Sequence, residues 1–237
     1  MSVASFTGKV AMITGAAGSL GRAVAAAFAA QGARLALLDL KAAALEAAYG
    51  AEGETRLHLA ADLGDGAAVA EAVDEARARF GRIDVLCNIA GGFHMGEPVH
   101  ETPDAVFRQM IELNAGSVLR MARAVVPVML AQGGGKIVSV AAMGGLTGGA
   151  TMSAYAASKS AVIRLTESMA LELRDRGINV NCVLPSTIDT APNRASMPNA
   201  DFTRWVAPAA LADVILFLAS DAARAVNGVA LPVVGRV

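Results

Sequence analysis

The sequence predicts a single doubly wound α/β domain spanning residues 1–237, in which helices cover both faces of a parallel sheet of about seven strands. Short β-rich runs alternate with longer alanine-rich helical stretches along the chain, and this alternation is typical of parallel sheets. Most strand candidates are continuous apolar runs, as expected for strands that are buried on both faces. No linker rich in proline, serine or charge divides the chain, so one domain is predicted.

The strand candidates are seven short runs, in chain order Val10–Thr14, Arg34–Asp39, Arg56–Ala60, Val85–Asn88, Lys136–Val140, Asn179–Leu184 and Ala230–Val233. The helix candidates lie between them and are Leu20–Gln31, Ala67–Phe80, Thr102–Gln132, Ser153–Arg176 and Ala209–Ala219. The first four helices each end just before a glycine, the residue type that favours a left-handed C-terminal cap: Gly32, Gly81, Gly133 and Gly177. In such a domain, ligands bind at the carboxyl ends of the strands, where we expect the chemistry.

The composition describes a chain that can bury a sizeable core, with 54% hydrophobic residues, 17% charged residues and a net charge of −1. Charged residues are scattered, so neither a nucleic-acid partner nor a membrane partner is expected. No apolar stretch reaches the length of a membrane span without a charge, glycine or proline. Met1–Thr7 lacks the charged-then-apolar order of a signal peptide. We therefore expect a cytoplasmic enzyme or binding protein.

The cysteines and histidines predict no metal site. Cys87 and Cys182 both lie in strand-like apolar runs, which favours buried, reduced thiols over a disulfide. His58, His94 and His100 show no metal-ligand spacing with each other or with the cysteines.

A glycine-rich turn, Thr14–Gly21, connects the first strand candidate to the first helix candidate. Its small residues allow the backbone to approach a pyrophosphate closely, and a helix N-terminus attracts that group. Such a turn also occurs in ordinary strand–helix connections, but its position after the first strand favours dinucleotide binding. The binding residues predicted in the turn are Gly15, Ser19, Leu20 and Gly21.

An acidic residue, Asp39, ends the second strand candidate 24 residues after Gly15. A carboxylate at this position can accept hydrogen bonds from both ribose hydroxyls of NAD, whereas it would repel the 2′-phosphate of NADP. Lys41 is nearby but lies beyond the strand end. NAD is therefore the predicted cofactor; the alternative role for Asp39 is to cap the next helix.

Tyr155 and Lys159 stand four residues apart near the start of a long helix candidate, so they share one helix face. A tyrosine hydroxyl normally has a pKa near ~10, too high for a proton shuttle at neutral pH. A neighbouring ammonium favours the phenolate and lowers that pKa, and an oxidised nicotinamide would add to this effect. The pair predicts an acid/base site at the carboxyl edge of the sheet.

The segment Tyr155–Lys159 and the Thr14–Gly21 turn are accompanied by four other segments, namely Asp62-Leu63, Asn88–Gly91, Asn114 and Pro185–Thr190. Together they resemble the short-chain dehydrogenase/reductase family, and the resemblance covers essentially the whole chain. It implies a Rossmann-type domain in which Tyr155 is the acid/base. It further implies that Lys159 binds ribose and lowers the pKa of the tyrosine, and that Asn114 holds a water molecule in a proton relay.

The resemblance also implies further contacts to the cofactor. These contacts are Asp62 and Leu63 beside the adenine, Asn88 and Ala90 along the adenosine ribose, and Ile188 and Thr190 at the carboxamide, in the segment that begins with Pro185.

The chain departs from the family where a serine usually stands 13 residues before the catalytic tyrosine and binds the substrate carbonyl, because residue 142 is alanine. Ser139 is a poor substitute, since its odd offset along an extended segment turns it to the opposite face. Ser153 or Thr151 could approach from the following loop. Losing one such donor commonly costs about 2.7–4 kcal/mol in the transition state. Three alternatives follow: the substrate does not need the donor, another group supplies it, or activity is weak.

After the sixth strand candidate, the sequence predicts a short substrate lid at about residues 190–208. Its pattern, including Asp189-Thr190, Asn193-Arg194 and Trp205, resembles dihydropteridine reductases, which also lack the serine and use NADH. Because a quinonoid pterin is a conjugated acceptor, a missing carbonyl donor would matter less. The alternative is that Met197, Phe202 and Trp205 in this segment merely cover an apolar core.

The leading functional prediction is an NAD(H)-dependent oxidoreductase that transfers a hydride between nicotinamide and a small carbonyl/alcohol or other activated double-bond substrate. The alternatives are reduction of a quinonoid pterin and an NAD-binding protein with little catalysis, motivated by Ala142. The helix candidates Thr102–Gln132 and Ser153–Arg176 resemble the helices through which family members associate, so a homo-oligomer is expected, a tetramer rather than a dimer. The alternative is that the sheet fully occupies the apolar residues of these helices.

Overall fold

The strands and helices follow the predicted alternation. The structure is a computed structural model that describes residues 5–237. Its strands are β1 (Val10–Thr14), β2 (Arg34–Asp39), β3 (Arg56–Ala60), β4 (Val85–Asn88), β5 (Gly135–Val140), β6 (Ile178–Pro185) and β7 (Ala230–Val233). Its α-helices are α1 (Ser19–Ala30), α2 (Ala42–Tyr49), α3 (Gly66–Phe80), α4 (Asp104–Ile111), α5 (Ser117–Ala131), α6 (Ser153–Leu173), α7 (Ala191–Ser196) and α8 (Pro208–Ala219). The seven predicted strands are confirmed, each to within one residue at either end.

The seven strands form one parallel sheet in the order β3-β2-β1-β4-β5-β6-β7. Strands β1, β2 and β3 follow one another outward to one edge of the sheet, and β4 then pairs with the other side of β1. At the carboxyl end of this central pair, Thr14 is opposite Asn88. The loops that follow these two central strands lead to helices on opposite faces, which opens a crevice at the carboxyl edge. The doubly wound prediction is therefore confirmed.

Both faces of the sheet are buried, which explains the continuous apolar runs of the strands. On one face, residues such as Ile13 and Val138 pack against Phe28 of α1 and Ile215 of α8. On the other face, Met12, Leu86 and Ile137 pack against α3 and α5. A third cluster joins α6 to the carboxyl end of β6 and holds the segment that carries Tyr155 and Lys159.

Two short helices were not predicted. Helix α2 follows β2 and ends at Gly50, whose φ of 70° lies in the left-handed region. Helix α7 lies in the predicted lid, where Thr190 caps it by accepting a hydrogen bond from the Asn193 N–H. Eight and six residues carry too few turns for a clear helical period, so neither helix is distinguishable from a loop by pattern.

The helix predicted over Thr102–Gln132 is divided. Pro103 adopts an extended conformation, so α4 begins at Asp104. A π-helical turn, Glu112–Gly116, separates α4 from α5 and contains Asn114. Single π-turns of this kind often occur at functional sites, because the extra residue re-aims side chains and backbone groups.

The run Asp104–Ala131 is the one helix in the described part of the chain that is long and apolar enough to cross a membrane, judged by length and composition alone. Core helices of soluble proteins pass the same test, and 44% of the apolar window is buried inside the domain. Met121 and Val125 on this run pack against the sheet, and Gly116 and Pro127 interrupt it.

Candidate active site

The glycine-rich turn lies at the crevice and requires glycine at its two ends. Gly15 has a φ of +62°, and a Cβ there would stand 2.9 Å from the backbone of Ala90. A Cβ on Gly21 would overlap the Gly15 carbonyl and Ala16. Thr14 joins this turn to the loop after β4, because its Oγ1 accepts hydrogen bonds from the N–H groups of Ile89 (3.0 Å) and Ala90 (3.2 Å).

Asp39 faces the turn instead of capping α2. One carboxylate oxygen accepts from the Ala17 N–H at 2.9 Å, and the other accepts from the Leu40 N–H at 2.8 Å. Lys41 occupies the N-cap position of α2. The carboxylate is therefore fixed at the edge of the crevice, where each oxygen retains a lone pair for a further donor.

A cleft of about 850 Å³ runs along this edge. The predicted cofactor residues that line it are Gly15, Ser19, Leu20, Gly21, Asp39, Asp62, Leu63, Ala90 and Thr190. The cleft also meets α4 and the π-turn through Gln109, Glu112 and Leu113, which the sequence did not indicate. Nine residues predicted from separate motifs thus share one cleft of a size suited to a small-molecule ligand.

Five other predicted cofactor residues are not part of the cleft lining, namely Asn88, Pro185, Ile188, Tyr155 and Lys159. Asn88 is 3% exposed, and its side chain donates a 3.1 Å hydrogen bond to Ser139 Oγ. Its place along the adenosine ribose stays a prediction. Pro185 is the buried end of β6, and Ile188 forms a parallel bridge with Val206 at the base of the lid segment.

Lys159 lies in the second turn of α6, and its ammonium is buried. Its Nζ donates a 2.8 Å hydrogen bond to the Val140 carbonyl at the end of β5. Only 5% of the residue is exposed, and burial lowers the pKa of Lys159 to about 8.

Tyr155 lies one turn earlier on α6 and is partly exposed. Phe93, in the loop after β4, packs edge-on against its ring with the ring centroids 4.8 Å apart. Burial raises the pKa of Tyr155 to about 12. In the described structure the Lys159 ammonium donates to the Val140 carbonyl, and the lowering of the Tyr155 pKa by Lys159 stays a prediction.

Asn114, in the π-turn, is almost fully buried and bonded at both ends of its amide. Its Oδ1 accepts from the Gly92 N–H at 2.9 Å, and its Nδ2 donates to the Gly92 carbonyl (3.1 Å) and to Ser158 Oγ (2.9 Å). Ser158 in turn donates to the Tyr155 carbonyl at 2.7 Å. A Cβ on Gly91 would meet both Asn114 Oδ1 (2.7 Å) and Lys159 Nζ (3.2 Å), so these two polar atoms lie on either side of the same backbone position, and Ser158 links Asn114 to the first turn of α6, which carries Tyr155.

Ala142 lies at the end of β5, is 6% exposed and precedes a 3₁₀ turn. Ser139 is fully buried on the sheet face, where its hydroxyl oxygen accepts from Asn88 Nδ2; that it is a poor substitute for a serine at position 142 stays a prediction. Ser153 Oγ lies 3.5 Å from Thr102 Oγ1. Thr151, with a φ of 60°, accepts through its carbonyl from the Gly96 N–H at 2.9 Å.

The segment between β6 and α8 is held by its own contacts. Arg194 donates two hydrogen bonds to the Asp189 carboxylate, at 2.6 and 2.7 Å, and its guanidinium lies 4.8 Å from the centre of the Phe202 ring. These hydrogen bonds hold the pKa of Asp189 below its usual range. The segment reaches the cleft at Thr190 and Pro192.

Four residues with a part in this arrangement were not singled out individually by the sequence: Thr14, Tyr49, Phe93 and Ser158. Thr14 could have been noticed, because strand ends of neighbouring parallel strands meet at one edge. Tyr49 donates from α2 to the Ala16 carbonyl at 2.6 Å, a contact without any local sequence signal. Among residues 5–237, no group of three or more His, Cys, Asp or Glu side chains could hold a metal ion.

Comparison with known proteins agrees with this geometry. A family model described as short chain dehydrogenase matches residues 9–201. The 2-(R)-hydroxypropyl-CoM dehydrogenase of Xanthobacter autotrophicus is 36% identical over 239 residues, which cover 94% of this chain and 96% of that protein. The crystal structure of levodione reductase matches with a TM-score of 0.91 and 33% identity over 97% of each chain.

The crystal structure of carveol dehydrogenase from Mycobacterium avium in complex with NAD also matches, with a TM-score of 0.89 and 29% identity over 98% of each chain. These relatives are dehydrogenases and reductases by name. The family model covers most of the chain, and the fold and the Tyr155–Lys159 pair agree with it. The chain therefore belongs to the short-chain dehydrogenase/reductase family.

Proposed function

We propose that this protein is an NAD(H)-dependent oxidoreductase acting on a small carbonyl/alcohol pair or another activated double bond, with Tyr155 as the acid/base. One observation carries the proposal: Tyr155, Lys159 and Asn114 lie close together at the same sheet edge as a cleft that Asp39 borders. A protein that only binds a dinucleotide has no need of that group.

The cleft fits a dinucleotide on three counts. Gly15 and Gly21 keep side chains away from the turn, so a pyrophosphate can approach its backbone. No side chain caps the N-terminus of α1, which leaves its first N–H groups for an anion. Asp39 stands at the end of β2 with both oxygens oriented, which supports NAD over NADP. When bound, the nicotinamide supplies or accepts the hydride.

The chain's own residues handle the proton. With a pKa of about 12, the Tyr155 phenol is protonated at neutral pH and is able to donate to an oxygen that gains charge. Lys159, with a pKa of about 8, is mostly cationic at pH 7 and stabilises negative charge nearby. Asn114 and Ser158 fix the backbone on either side of these two groups.

The test is NADH oxidation, followed at 340 nm, with a panel of cyclic and open-chain ketones, quinones and a quinonoid dihydropterin. Turnover with a ketone supports the main proposal. Turnover confined to the dihydropterin favours the second candidate, which Ala142 motivates because a conjugated acceptor depends less on a carbonyl donor. Tight NADH binding without turnover on any acceptor would contradict the enzymatic proposal.

We also propose that the protein is a cytoplasmic homo-oligomer, a tetramer rather than a dimer. Large apolar side chains are exposed on the helices concerned: Phe107 on α4, Leu119 on α5 and Leu171 on α6. Surfaces of this kind mark protein–protein contacts when they are contiguous. Sedimentation equilibrium should give about four times the 24.0 kDa chain mass, and a monomer at micromolar concentration would refute the assembly.

A further inference from the structure

The tip of the glycine-rich turn is held by a side chain that does not border the cleft. Tyr49 is the last residue of α2, and its hydroxyl donates a 2.6 Å hydrogen bond to the Ala16 carbonyl. Its ring lies beside Arg56, whose guanidinium carbon is 5.8 Å from the ring centre, and beside His58, with ring centroids 6.0 Å apart. The phenol is thus placed by packing from β3 as well as by its own helix.

Residues of β2 and α2 form hydrogen bonds with three successive backbone groups of the turn. The Ala16 N–H donates to the Leu38 carbonyl at 3.1 Å, the Ala16 carbonyl accepts from Tyr49, and the Ala17 N–H donates to Asp39 at 2.9 Å. Ala16 is fully buried, so a water molecule cannot easily replace the Tyr49 hydroxyl as the hydrogen-bond donor to its carbonyl. The peptide planes on either side of Ala16 are fixed by these contacts.

The residues that anchor the turn differ from the residues that form its ligand surface. Ala17, Gly18 and Ser19 line the cleft, whereas Ala16 and Tyr49 do not. Orientation of the Ala16 carbonyl sets the plane that begins the 17–19 stretch, because the backbone has only two soft dihedrals per residue. A hydrogen bond behind the turn therefore acts on the N–H groups in front of it.

We propose that Tyr49 is a positioning residue for the cofactor, which holds the turn in the conformation that receives a pyrophosphate. The proposal rests on the proposed function, since it presumes a dinucleotide in the cleft. Tyr49 itself makes no contact with that ligand. Burial raises the pKa of Tyr49 to about 12, so the hydroxyl remains a donor throughout the physiological pH range.

The test compares Tyr49→Phe with the wild-type chain in binding titrations with NADH, ADP-ribose and adenosine. Phenylalanine keeps the ring packing and removes only the hydroxyl. We expect the Kd for NADH and for ADP-ribose to rise about three- to tenfold, while the Kd for adenosine, which has no phosphate, stays within twofold. Turnover at saturating NADH should be unchanged, so the effect is confined to KM.

Glu52→Ala is the matched control, because it also removes one hydrogen bond of the α2–β3 region, from the His58 N–H to Glu52 Oε1 at 2.7 Å, without reaching the turn. It should leave all three Kd values unchanged. An NADH Kd within twofold of wild type in Tyr49→Phe, or equal weakening of adenosine and ADP-ribose, overturns the positioning role. Failure of the proposed function would show separately, as a wild-type protein that binds no NADH.

Discussion

The glycine-rich turn and the loops around Tyr155 lie at the same edge of the sheet, yet different contacts hold them. The backbone of the turn is fixed by the side chains of Asp39 and Tyr49, and the Thr14 side chain joins the turn to the loop after β4. Its ligand surface consists mostly of small residues and main-chain groups. In the loops after β4 and β5, larger side chains pack against one another, such as Phe93 against Tyr155. They lack a hydroxyl at position 142.

This difference separates recognition of the cofactor, which uses features common to all dinucleotides, from recognition of the substrate, which depends on this chain's own side chains. A surface made of main-chain groups recognises features that all dinucleotides share, and only Asp39 adds a preference. A surface made of side chains can change with each substitution, so substrate choice resides there. Substitutions in one half or the other, or in the Tyr155–Lys159 group between them, should therefore have separable effects.

Variants of the Tyr155–Lys159 group have the largest expected effect, a loss of turnover, and Lys159→Met is the first of them. Removal of the ammonium takes away the charge that stabilises a developing phenolate, and we expect turnover to fall about 10³-fold. The measurement is steady-state NADH oxidation with the best acceptor from the panel. Glu167→Gln, at a partly exposed position two turns further along α6 where the side chain pairs with Arg164, serves as the control. Turnover within tenfold of wild type would remove Lys159 from the acid/base group.

The same Lys159→Met variant should be more stable than wild type at pH 7. Burial lowers the pKa of Lys159 from 10.5 to about 8, so the unfolded chain binds this proton more tightly than the folded one. The cost is present in full below pH 8 and disappears as the pH rises towards 10.5; it amounts to about 3 kcal/mol.

Urea unfolding at pH 7 and at pH 10 measures this difference. The lost hydrogen bond to the Val140 carbonyl offsets about 1 kcal/mol of the gain. We expect the advantage of the variant to shrink at pH 10. Equal stability of the two proteins at both pH values would show that the buried ammonium carries no penalty.

Restoring a donor in the substrate half, by Ala142→Ser, should raise turnover of simple ketones by about 10- to 100-fold. The added hydroxyl would stabilise charge on the substrate oxygen beside Tyr155. Ala141→Ser is the matched control, because the neighbouring residue points to the other side of the extended segment. An unchanged rate for every ketone would mean that another group already supplies the donor.

In the cofactor half, Asp39→Asn should reduce the preference for NADH over NADPH by about tenfold, measured as the ratio of the two Kd values. The amide oxygen can still accept from the Ala17 N–H, so the turn is retained while the charge that repels a 2′-phosphate is lost. Asp39→Ala, which loses both, should weaken the two cofactors together. Equal binding of NADH and NADPH by the wild type would contradict the role given to Asp39.

Much of the fold was predictable because both faces of the sheet are buried. Apolar runs such as β2 and β5 stand out for that reason, and the glycines at helix ends limit the helices. Helices α2 and α7 are too short for a helical period. The π-turn around Asn114 was not predictable, because it depends on how α4 and α6 pack and not on a residue type.

Within the candidate site, residues tied to motif spacing were predictable, and residues tied to three-dimensional packing were not. Gly15 and Asp39 follow from their positions after β1 and β2. The inward rotation of Asn88 depends on its partner Ser139 on β5, 51 residues away. The pKa of Tyr155 likewise follows from burial beside Phe93 and α6, which spacing alone does not reveal.

The most direct test of the account is Tyr155→Phe, with NADH binding and NADH oxidation measured on the same preparation. The substitution keeps the ring packing against Phe93 and removes only the hydroxyl group, and with it the exchangeable proton. We predict a fall in turnover of at least about 10³-fold, with the NADH Kd within about twofold of wild type. Turnover that persists in this variant, with NADH still bound, would contradict the assignment of Tyr155 as the acid/base.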